Sequence, residues 1–351
     1  MPVMALLPHR RTLTPIRDFL MTRHLSRRRF IGVTAAAAGL GLLPFGRVAR
    51  AEGHLVTWRG QAMGAVATLQ VHHHDRAVAE RLIERSLAEV RRLEAVFSLY
   101  RTDSALVALN RQGILVAPPR DLVALLSECR RCWTLTGETF DPTVQALWTL
   151  YHDHFSKPDA DPDGPPESAL REAMERVGFG HVIFDADRIA FGKRGMRLTL
   201  NGIAQGYMTD RVVDVLRAGG IESSLVDMGE PRAVGTRPTG EPWRVGIADP
   251  DHPEQIGGTL EAVDKAVATS GAYGFRFDPA GRFNHLVDPK TGRATSRYKS
   301  VTTVMPNATL ADALSTAFSL MPEEGIARVL GKEGGEVRLV TAAGKARVLT
   351  G

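Results

Sequence analysis

The sequence has few of the residues that mark disulfide-bonded, metal-cluster or membrane-spanning proteins. Only two cysteines occur in 351 residues, so neither a multiple-disulfide scaffold nor an all-cysteine zinc site can be built. The apolar run Ile31–Phe45 is too short and too rich in alanine and glycine to span a bilayer comfortably. No strand-linked G-x-G-x-x-G with a following acid appears, which argues against a nicotinamide-dependent oxidoreductase.

Excess positive charge is also absent from most of the chain. The formal charge is +5, but residues 1–51 hold nine Arg and one Asp, a net of +8. Subtracting +8 from +5 leaves −3 for residues 52–351, so no nucleic-acid partner is indicated. With 44% hydrophobic and 24% charged residues, the chain has the composition of a globular protein.

The basic N-terminus has the pattern of an export signal. Ser26–Ile31 reads S-R-R-R-F-I, which fits the twin-arginine pattern, and Ile31–Phe45 and Ala49–Ala51 supply the apolar run and the cleavage pattern. Residues 1–51 are therefore predicted to be a twin-arginine signal peptide, with Met21 as an alternative start. Residues 52–351 are predicted to form the mature, periplasmic domain. The alternative for the leader is an ordinary N-terminal helix.

Hydrophobic periodicity predicts an α+β domain. Val66–Val71 alternates as a strand, His72–His74 follow as a solvated loop, and Asp75 caps a helix that reaches about Phe97. Further strands are predicted near Val182–Phe184, Arg197–Leu200, Leu225–Asp227, Trp243–Ile247, Lys265–Thr269 and Ser300–Val304, and helices near Gly206–Ala218 and Leu310–Met321. No clear linker or internal repeat divides the chain, which favours a single domain.

The two cysteines, Cys129 and Cys132, lie in a predicted helix, Leu122–Leu135. Their C-x-x-C spacing is found in redox and metal sites. The same segment carries an apolar stripe, and cysteine is itself a common buried residue. A buried structural pair is the favoured interpretation, with a disulfide or redox pair and a metal site as alternatives.

Two glycine-rich segments could bind an anion. Leu200–Tyr207 joins a predicted strand to a helix, where small residues and free N–H groups suit a phosphate. Thr269–Gly274 follows another predicted strand and could form an anion nest. A tight turn explains either segment about as well.

Two further segments carry side chains capable of chemistry. His285 and Asp288 are three residues apart and bounded by a turn, which could be ordinary turn chemistry. Thr309 and Asp312 have the spacing of a capping box, which predicts a helix start. Asp312 and Thr316 would then share a face and offer hard oxygens suited to Mg²⁺. Alternatively, Asp312 merely favours the helix N-terminus.

These segments occur together, and in this order the chain resembles the ApbE family of FAD:protein FMN transferases. The resemblance covers about residues 60–321. Besides the four segments above, the matching stretches are Gln61–Gly64, Phe97–Tyr100 with Asp103-Ser104 and Leu109-Asn110, Thr136–Val144, which contains G-x-x-F-D-P-T-V, and Trp243–Pro250. No single stretch is decisive, but so many in family order are highly specific.

The resemblance implies a fold, a reaction and a role for each matching position. It implies a single ApbE-like (T-fold-like) α+β domain with mixed sheets and packed helices, which joins FMN through its phosphate to a Ser or Thr of another protein. The positions implied to contact FAD are Met63, Tyr100, Thr139, Phe140, Asp141, Thr199, Gln205, Ser270, Gly271, His285 and Leu286. The implied Mg²⁺ ligands are the carbonyl of Gly202 and the side chains of Asp312 and Thr316, with Ser315 where some members have a second Asp. His285 and Asp288 are candidates for the base that takes the acceptor proton.

The chain departs from the family pattern at several of these positions. Where members usually read D-L-G-G-I-A-K-G, Thr199 replaces a ligand-contacting Asp and Gln205 replaces Lys. The usual N-x-G-G-acid segment is one residue shorter, Asp227–Pro231. The pattern, with its twin-arginine leader, looks like the NosX branch, which implies a NosR-like membrane flavoprotein as acceptor and only transient membrane association. An FAD pyrophosphatase and a non-catalytic flavin-binding assembly factor remain as alternative functions.

Overall fold

The computed structural model describes residues 53–351, and the predicted signal peptide lies outside them. The helices are α1 (Arg76–Phe97), α2 (Ala105–Gln112), α3 (Arg120–Leu135), α4 (Gln145–Phe155), α5 (Glu167–Met174), α6 (Ala204–Ala218), α7 (Ala308–Phe318) and α8 (Glu323–Glu333). The strands are β1 (His54–Ala62), β2 (Ala65–His73), β3 (Ile114–Val116), β4 (Val182–Phe184), β5 (Arg188–Phe191), β6 (Ser224–Asp227), β7 (Pro231–Val234), β8 (Trp243–Ala248), β9 (Ile256–Ala262), β10 (Ala266–Gly271), β11 (Tyr298–Met305), β12 (Glu336–Thr341) and β13 (Ala346–Thr350).

The strands form one large sheet and two small ones. The large sheet has the order β1-β2-β6-β7-β10-β11-β12-β13, and all of its described pairs are antiparallel. The small sheets are β3-β5-β4 and the β8-β9 hairpin. This mixture of sheets and packed helices confirms the predicted α+β class.

Side-chain alternation divides the core between the two faces of the large sheet. In β10, Ala266 and Ala268 face the main core, which also contains α1, α6 and α7, while Val267 faces the other side. There Val267 packs with Trp243 and Leu260 of the β8-β9 hairpin. Successive strand residues point to opposite faces, so β10 can contribute to both cores. The end of β10 therefore lies close to α7.

Local capping explains where several elements begin. The Asp75 side chain accepts hydrogen bonds from Ala77 N at 2.8 Å and Val78 N at 3.2 Å, which confirms the predicted cap of α1. A two-residue turn joins β1 to β2, with positive φ angles of 49° at Met63 and 82° at Gly64. Such a backbone suits Gly and is rare for Met, so Met63 is held in a strained conformation.

Several sequence predictions about local structure are wrong. His72 and His73 belong to β2 and not to a loop, and α7 ends at Phe318, before Met321. The segment 197–200 is not a strand. Its backbone is paired elsewhere: Leu198 bonds Asn110 of α2 through both its N–H (2.7 Å) and its C=O (2.8 Å), and Thr199 N donates to Pro142 O at 2.9 Å.

The predicted capping box of α7 is also wrong. The N-cap is Asn307, whose side chain accepts from Leu310 N at 2.8 Å. Thr309 lies in the first turn, and its hydroxyl donates to Asp210 at 2.6 Å. Asp312 makes no cap, since its carboxylate accepts from Gly206 N at 3.0 Å. The first turn of α7 is therefore capped by Asn307, the residue next to it, and by Asp210 of α6.

Cys129 and Cys132 are buried free thiols in α3. Burial raises the pKa of Cys132 to about 12 and raises the pKa of Cys129 well above its usual range, which suppresses the reactive thiolate. These observations favour the structural interpretation of the pair. Among residues 53–351, no helix combines the length and apolarity needed to cross a bilayer.

Candidate active site

The candidate site is centred where the start of α6 meets α7. Gly206 lies so close to α7 that an added Cβ atom would be 2.2 Å from Ala308 O and 2.8 Å from Asp312 Cβ. The absence of a side chain at Gly206 therefore allows its N–H to reach Asp312 Oδ2. The glycine-rich segment and α7, joined by a contact between residues 106 positions apart in sequence, form one local structure.

Hydroxyl groups from β10 and α7 line the same junction. Ser270 Oγ lies 2.7 Å from Ser315 Oγ and 3.5 Å from Thr316 Oγ1. A Cβ atom added to Gly202 would be 2.8 Å from Thr316 Oγ1, so that loop also contacts the hydroxyl group. The structure thus brings together Gly202, Ser270, Ser315 and Thr316, four of the positions predicted from sequence.

Three acidic residues adjoin this junction, and we call Asp227, Glu230 and Asp312 the carboxylate cluster. Asp227 and Asp312 are only 7% and 4% exposed. Burial raises the pKa of Asp227 to about 7 and that of Asp312 to about 7. Burial and the neighbouring charges of Asp312 and Asp227 raise the pKa of Glu230 well above its usual range. The cluster therefore favours either protons or a cation from outside.

The donor set at this junction fits a hard divalent cation. Within residues 53–351, no three His, Cys, Asp or Glu side chains surround a common metal position. A cation would accordingly be held by Asp312 together with hydroxyl and backbone oxygens, of which Ser315, Thr316 and Gly202 are at hand. Oxygen ligands with few carboxylates, supplemented by substrate phosphates, are what Mg²⁺ commonly uses.

Gln205 lies beside the carboxylate cluster. A Cβ atom added to Gly229 would be 2.6 Å from Gln205 Nε2, so the amide covers the backbone between Asp227 and Glu230. Gly229 has a φ of 117°, a conformation that side-chain-bearing residues rarely adopt. The uncharged amide places no positive charge where the resemblance leads one to expect a lysine.

The loop before α4 contributes Thr139, Phe140 and Asp141. Phe140 is 5% exposed, and its N–H donates to Thr136 Oγ1 at 3.0 Å. The Asp141 carboxylate accepts from Thr143 N and Oγ1 at 2.8 and 2.5 Å, and from Phe179 N at 2.9 Å. Burial nevertheless raises the pKa of Asp141. Its oxygens hold the loop together, so any contact with a ligand would come mainly from the loop backbone and its neighbours.

Thr199 connects this loop to the glycine-rich segment. Its N–H donates to Pro142 O at 2.9 Å, and its hydroxyl accepts from Asn201 N at 3.3 Å. The Tyr100 phenol, on a side chain that is 65% exposed, lies against Asn201. Met63, by contrast, is buried at the hairpin turn, where its N–H donates to Glu94 at 2.7 Å. Short contacts thus link the Thr136–Val144 loop, the glycine-rich segment and Tyr100, whereas Met63 is bonded to α1.

His285 and Leu286 follow a loop that packs on the end of β10. A Cβ atom added to Gly274 would be 3.0 Å from His285 Cε1, and His285 Nδ1 lies 3.2 Å from both Phe275 N and Phe275 O. Burial lowers the pKa of His285, so its imidazole is neutral at neutral pH. Leu286 is 4% exposed beside it.

Asp288 has a different environment from His285. Its carboxylate accepts from Lys290 N at 2.8 Å, and its carbonyl accepts from Gly292 N at 2.8 Å, as in an Asx turn. In the part of the chain that the structure describes, no hydrogen bond joins Asp288 to His285. The structure therefore favours the turn interpretation of Asp288 and leaves His285 as the better candidate for proton transfer.

Sequence reasoning missed two residues of the site region. Tyr273 lies over Gly271, where an added Cβ would be 2.2 Å from the ring, and its buried hydroxyl has no partner in the described structure. Burial, with Glu230 and Asp249 nearby, raises the pKa of Tyr273 to about 12. Asp210, in the second turn of α6, bonds the start of α7. Its spacing from Gly206, one turn of a predicted helix, was the available signal.

Comparison with known proteins identifies relatives over most of the described chain. A model of the ApbE family matches residues 63–340. The chain is 34% identical over 261 residues to an FAD:protein FMN transferase of Treponema pallidum, covering 67% of this chain and 70% of the relative. It is 32% identical over 249 residues to an FAD:protein FMN transferase of Vibrio cholerae, covering 69% of this chain and 73% of the relative.

Solved structures show the same architecture. The flavin transferase ApbE from Vibrio cholerae superposes with a TM-score of 0.72 at 26% identity, covering 85% of this chain and 97% of that one. The apo flavinyl transferase ApbE of Pseudomonas stutzeri gives a TM-score of 0.72 at 26% identity, covering 86% and 97%. The single α+β domain is thus shared along nearly the whole length of these structures.

Proposed function

The chain belongs to the ApbE family, and on that premise we propose that it transfers FMN from FAD to a serine or threonine of an acceptor protein. The observation that carries the proposal is the meeting of three separate segments at one junction. Gly202 and Ser270 contact Thr316, and Asp312, one turn earlier on α7, accepts from Gly206 of the Gly202 segment. The junction therefore holds a carboxylate, hydroxyls and backbone groups. Groups of these kinds bind a pyrophosphate and its divalent cation.

In the proposed reaction, the acceptor hydroxyl oxygen attacks the phosphorus on the FMN side of the pyrophosphate. The bond from this phosphorus to the bridging oxygen breaks, and AMP leaves with that oxygen. The hydroxyl proton passes to a base, and the product is a phosphoester between FMN and the acceptor side chain. Positioning and charge stabilisation supply most of the catalysis in such displacements.

We propose that Asp312, Thr316 and the Gly202 carbonyl hold Mg²⁺, with Ser315 beside them. When bound, the ion would offset the negative charge of the pyrophosphate. Ser270 and Gly271, at the end of β10, are proposed to orient the phosphates. Met63, Tyr100, Thr139, Phe140, Asp141, Thr199, Gln205 and Leu286 are proposed to line the remainder of the FAD site.

We propose His285 as the base. If Nδ1 donates to Phe275 O, the neutral ring leaves Nε2 free to accept the acceptor proton. Asp288 is the second candidate, but its carboxylate already accepts from Lys290 N. A His285→Gln variant would therefore lose more transfer activity than Asp288→Asn.

The N-terminal leader and the resemblance to the NosX branch are the basis for proposing a cellular location and an acceptor. We infer that residues 1–51 direct export by the twin-arginine translocase, so that the enzyme acts in the periplasm. The acceptor is proposed to be a NosR-like membrane flavoprotein with a Ser/Thr flavinylation motif, and the role to be in nitrous-oxide reduction. Contact with the membrane would then be transient and made through the acceptor.

The decisive experiment is an in vitro transfer assay. The mature protein is mixed with FAD, Mg²⁺ and a periplasmic acceptor domain that bears the Ser/Thr motif, and the intact mass of the acceptor is measured with and without EDTA. A gain equal to FMN that EDTA abolishes is the expected result. Free FMN and AMP without acceptor modification would indicate a pyrophosphatase instead. Bound FAD with neither product would indicate a flavin-binding assembly factor, the alternative that Thr199 and Gln205 motivate.

A further inference from the structure

Asp210 is the most heavily hydrogen-bonded carboxylate near the candidate site, and it has no part in the function proposed above. Its Oδ1 accepts from Arg232 at 2.6 Å and from Ala308 N at 2.9 Å. Its Oδ2 accepts from Thr309 N at 2.8 Å and from Thr309 Oγ1 at 2.6 Å. A residue of α6 therefore caps the first turn of α7 from outside.

The cap matters because α7 has almost no access to water. The first N–H groups of a helix have no partner within the helix and need an acceptor from elsewhere. Asn307 accepts from Leu310, and Asp210 accepts from Ala308 and Thr309. Ten of the eleven residues of α7 are buried, so solvent cannot readily replace a lost acceptor.

The capped turn leads directly to the proposed metal ligands. Asp312 lies one turn after Thr309 on α7, and Thr316 lies one turn further. Helix α6 holds α7 at a second point, where Gly206 N donates to Asp312. Because α6 also begins at the loop that carries Gly202, the two contacts set the distance between Gly202 and Thr316.

Arg232 completes the arrangement by balancing the charge of Asp210. The pair is largely buried, with side chains 13% and 15% exposed for Arg232 and Asp210. The negative charge of Asp210 contributes to raising the pKa of Asp312, after the larger effect of burial. A cationic partner on β7 lets Asp210 bind α7 while limiting this repulsion.

We propose that Asp210, held by Arg232, is a positioning residue that fixes the metal-binding side chains of α7 relative to α6. The link to Mg²⁺ rests on the proposed function, whereas the capping of α7 by Asp210 does not depend on it. Asp210 acts through α7 and not as a metal ligand, because two protein donors already occupy the acceptor positions of each of its oxygens.

The test compares Asp210→Asn with Asp214→Asn in the mature protein. Asp214 lies one turn further along α6, is 56% exposed and pairs with Arg211, so it controls for the loss of one carboxylate from this helix. In metal-free protein, amide exchange in Ala308–Leu314 should accelerate about tenfold in Asp210→Asn and stay unchanged in Asp214→Asn. The Mg²⁺ concentration for half-maximal transfer should rise about tenfold in Asp210→Asn, with the rate at saturating Mg²⁺ within about twofold of wild type.

Three results would overturn the proposal. One is unchanged exchange in α7, and another is equal effects of the two substitutions. The third is faster exchange with an unaltered Mg²⁺ requirement, which would leave Asp210 with a purely structural role. Adding Arg232→Gln to Asp210→Asn should change little further, because the two residues act as one unit.

Failure of the proposed function would be seen separately, as a wild-type protein that transfers no FMN. The Mg²⁺ concentration that protects α7 amides from exchange, with FAD present, would then replace the transfer assay. A higher concentration requirement in Asp210→Asn would support the positioning role. An equal requirement, or no protection in wild type, would overturn it.

Discussion

Helix α6 borders two groups of charged residues. In one group the acids are paired with arginines, and in the other they are not. On one side lies what we call the arginine network, Glu89, Arg92, Asp121 and Arg211, where acids and bases are paired. On the other lies the carboxylate cluster of Asp227, Glu230 and Asp312. No Lys or Arg forms an ion pair with that cluster among residues 53–351.

The arginine network shows what internal counter-charges do to a partly buried acid. Burial alone would raise the pKa of Asp121, but hydrogen bonds from Arg92 and Tyr207 outweigh it and the pKa is lowered. Arg92 likewise lowers the pKa of Glu89. Each acid stays ionised because the chain itself supplies the cation.

The carboxylate cluster shows the same residue types without such partners. There the pKa values rise, because burial, joined at Glu230 by the charges of Asp312 and Asp227, outweighs single backbone N–H donors. Buried acids left without partners destabilise a fold and are retained where they serve a function. This contrast supports the proposal that a cation held at Asp312, beside the other two acids, supplies the missing positive charge.

The largest effect is expected from removing the central carboxylate of the cluster. Asp312→Ala should lower FMN transfer at least about 100-fold, because it deletes both a proposed Mg²⁺ ligand and the acceptor of Gly206 N. Transfer rate against Mg²⁺ concentration is the measurement. Asp121→Asn, which removes an acid from the arginine network, is the matched control and should keep full activity. Full activity in Asp312→Ala would contradict the metal assignment.

The next effect concerns pH and Mg²⁺ together. The pKa of Asp227 rises from 3.8 when free to about 7 when folded, so its contribution to stability is present below about pH 4 and is lost as pH rises through about 7. By linkage this is at most about 4 kcal/mol. Metal-free protein should therefore gain stability in Asp227→Asn relative to wild type between pH 5 and 8, measured by urea unfolding.

Mg²⁺ should reduce this difference, since the ion stabilises ionised carboxylates at the cluster. The Mg²⁺-induced rise in melting temperature of wild type should itself grow from pH 5 to 8. If Mg²⁺ instead raises the melting temperature equally at every pH, the ion does not bind at these titrating carboxylates.

A smaller effect is expected from supplying the cation within the chain. Gln205→Lys places an ammonium over Gly229, between two acids of the cluster, and should stabilise metal-free protein by about 2 kcal/mol at pH 7.5. The surface substitution Gln255→Lys adds the same charge elsewhere and should leave stability unchanged. If Gln205→Lys instead turns on transfer in an inactive wild type, the protein is a flavin-binding factor that has lost catalysis.

The sequence predicted elements that depend on local pattern. Helix α1 was found from the spacing of its apolar residues and from Asp75, and the β2 strand from its alternation, because each depends on residues a few positions apart. The segment 197–200 also alternates, yet it bonds Asn110 and Pro142 instead of a neighbouring strand. Such partners lie far away in sequence and leave no local trace.

The same limit applies to the site. The family resemblance assigns Gly202, Ser270, Asp312 and Thr316 to one site, and in the structure these residues lie at one junction. The start of α7 was misread, because half of its cap comes from Asp210, about a hundred residues earlier. Whether a buried acid has a counter-charge is a three-dimensional property, so neither group of charges beside α6 could be recognised from spacing alone.

The smallest effect should come from the arginine network itself. Asp121→Asn removes the acid that accepts from Arg92 and Tyr207, groups that are partly exposed, so the loss of stability should be only about 1 kcal/mol. Glu84→Gln, an exposed acid of α1, is the control and should cost nothing measurable. The Mg²⁺ concentration for half-maximal transfer should be the same in both variants and in wild type. A shifted Mg²⁺ requirement in Asp121→Asn would mean that the two sides of α6 are coupled, and that the paired charges help to set the electrostatics of the unpaired ones.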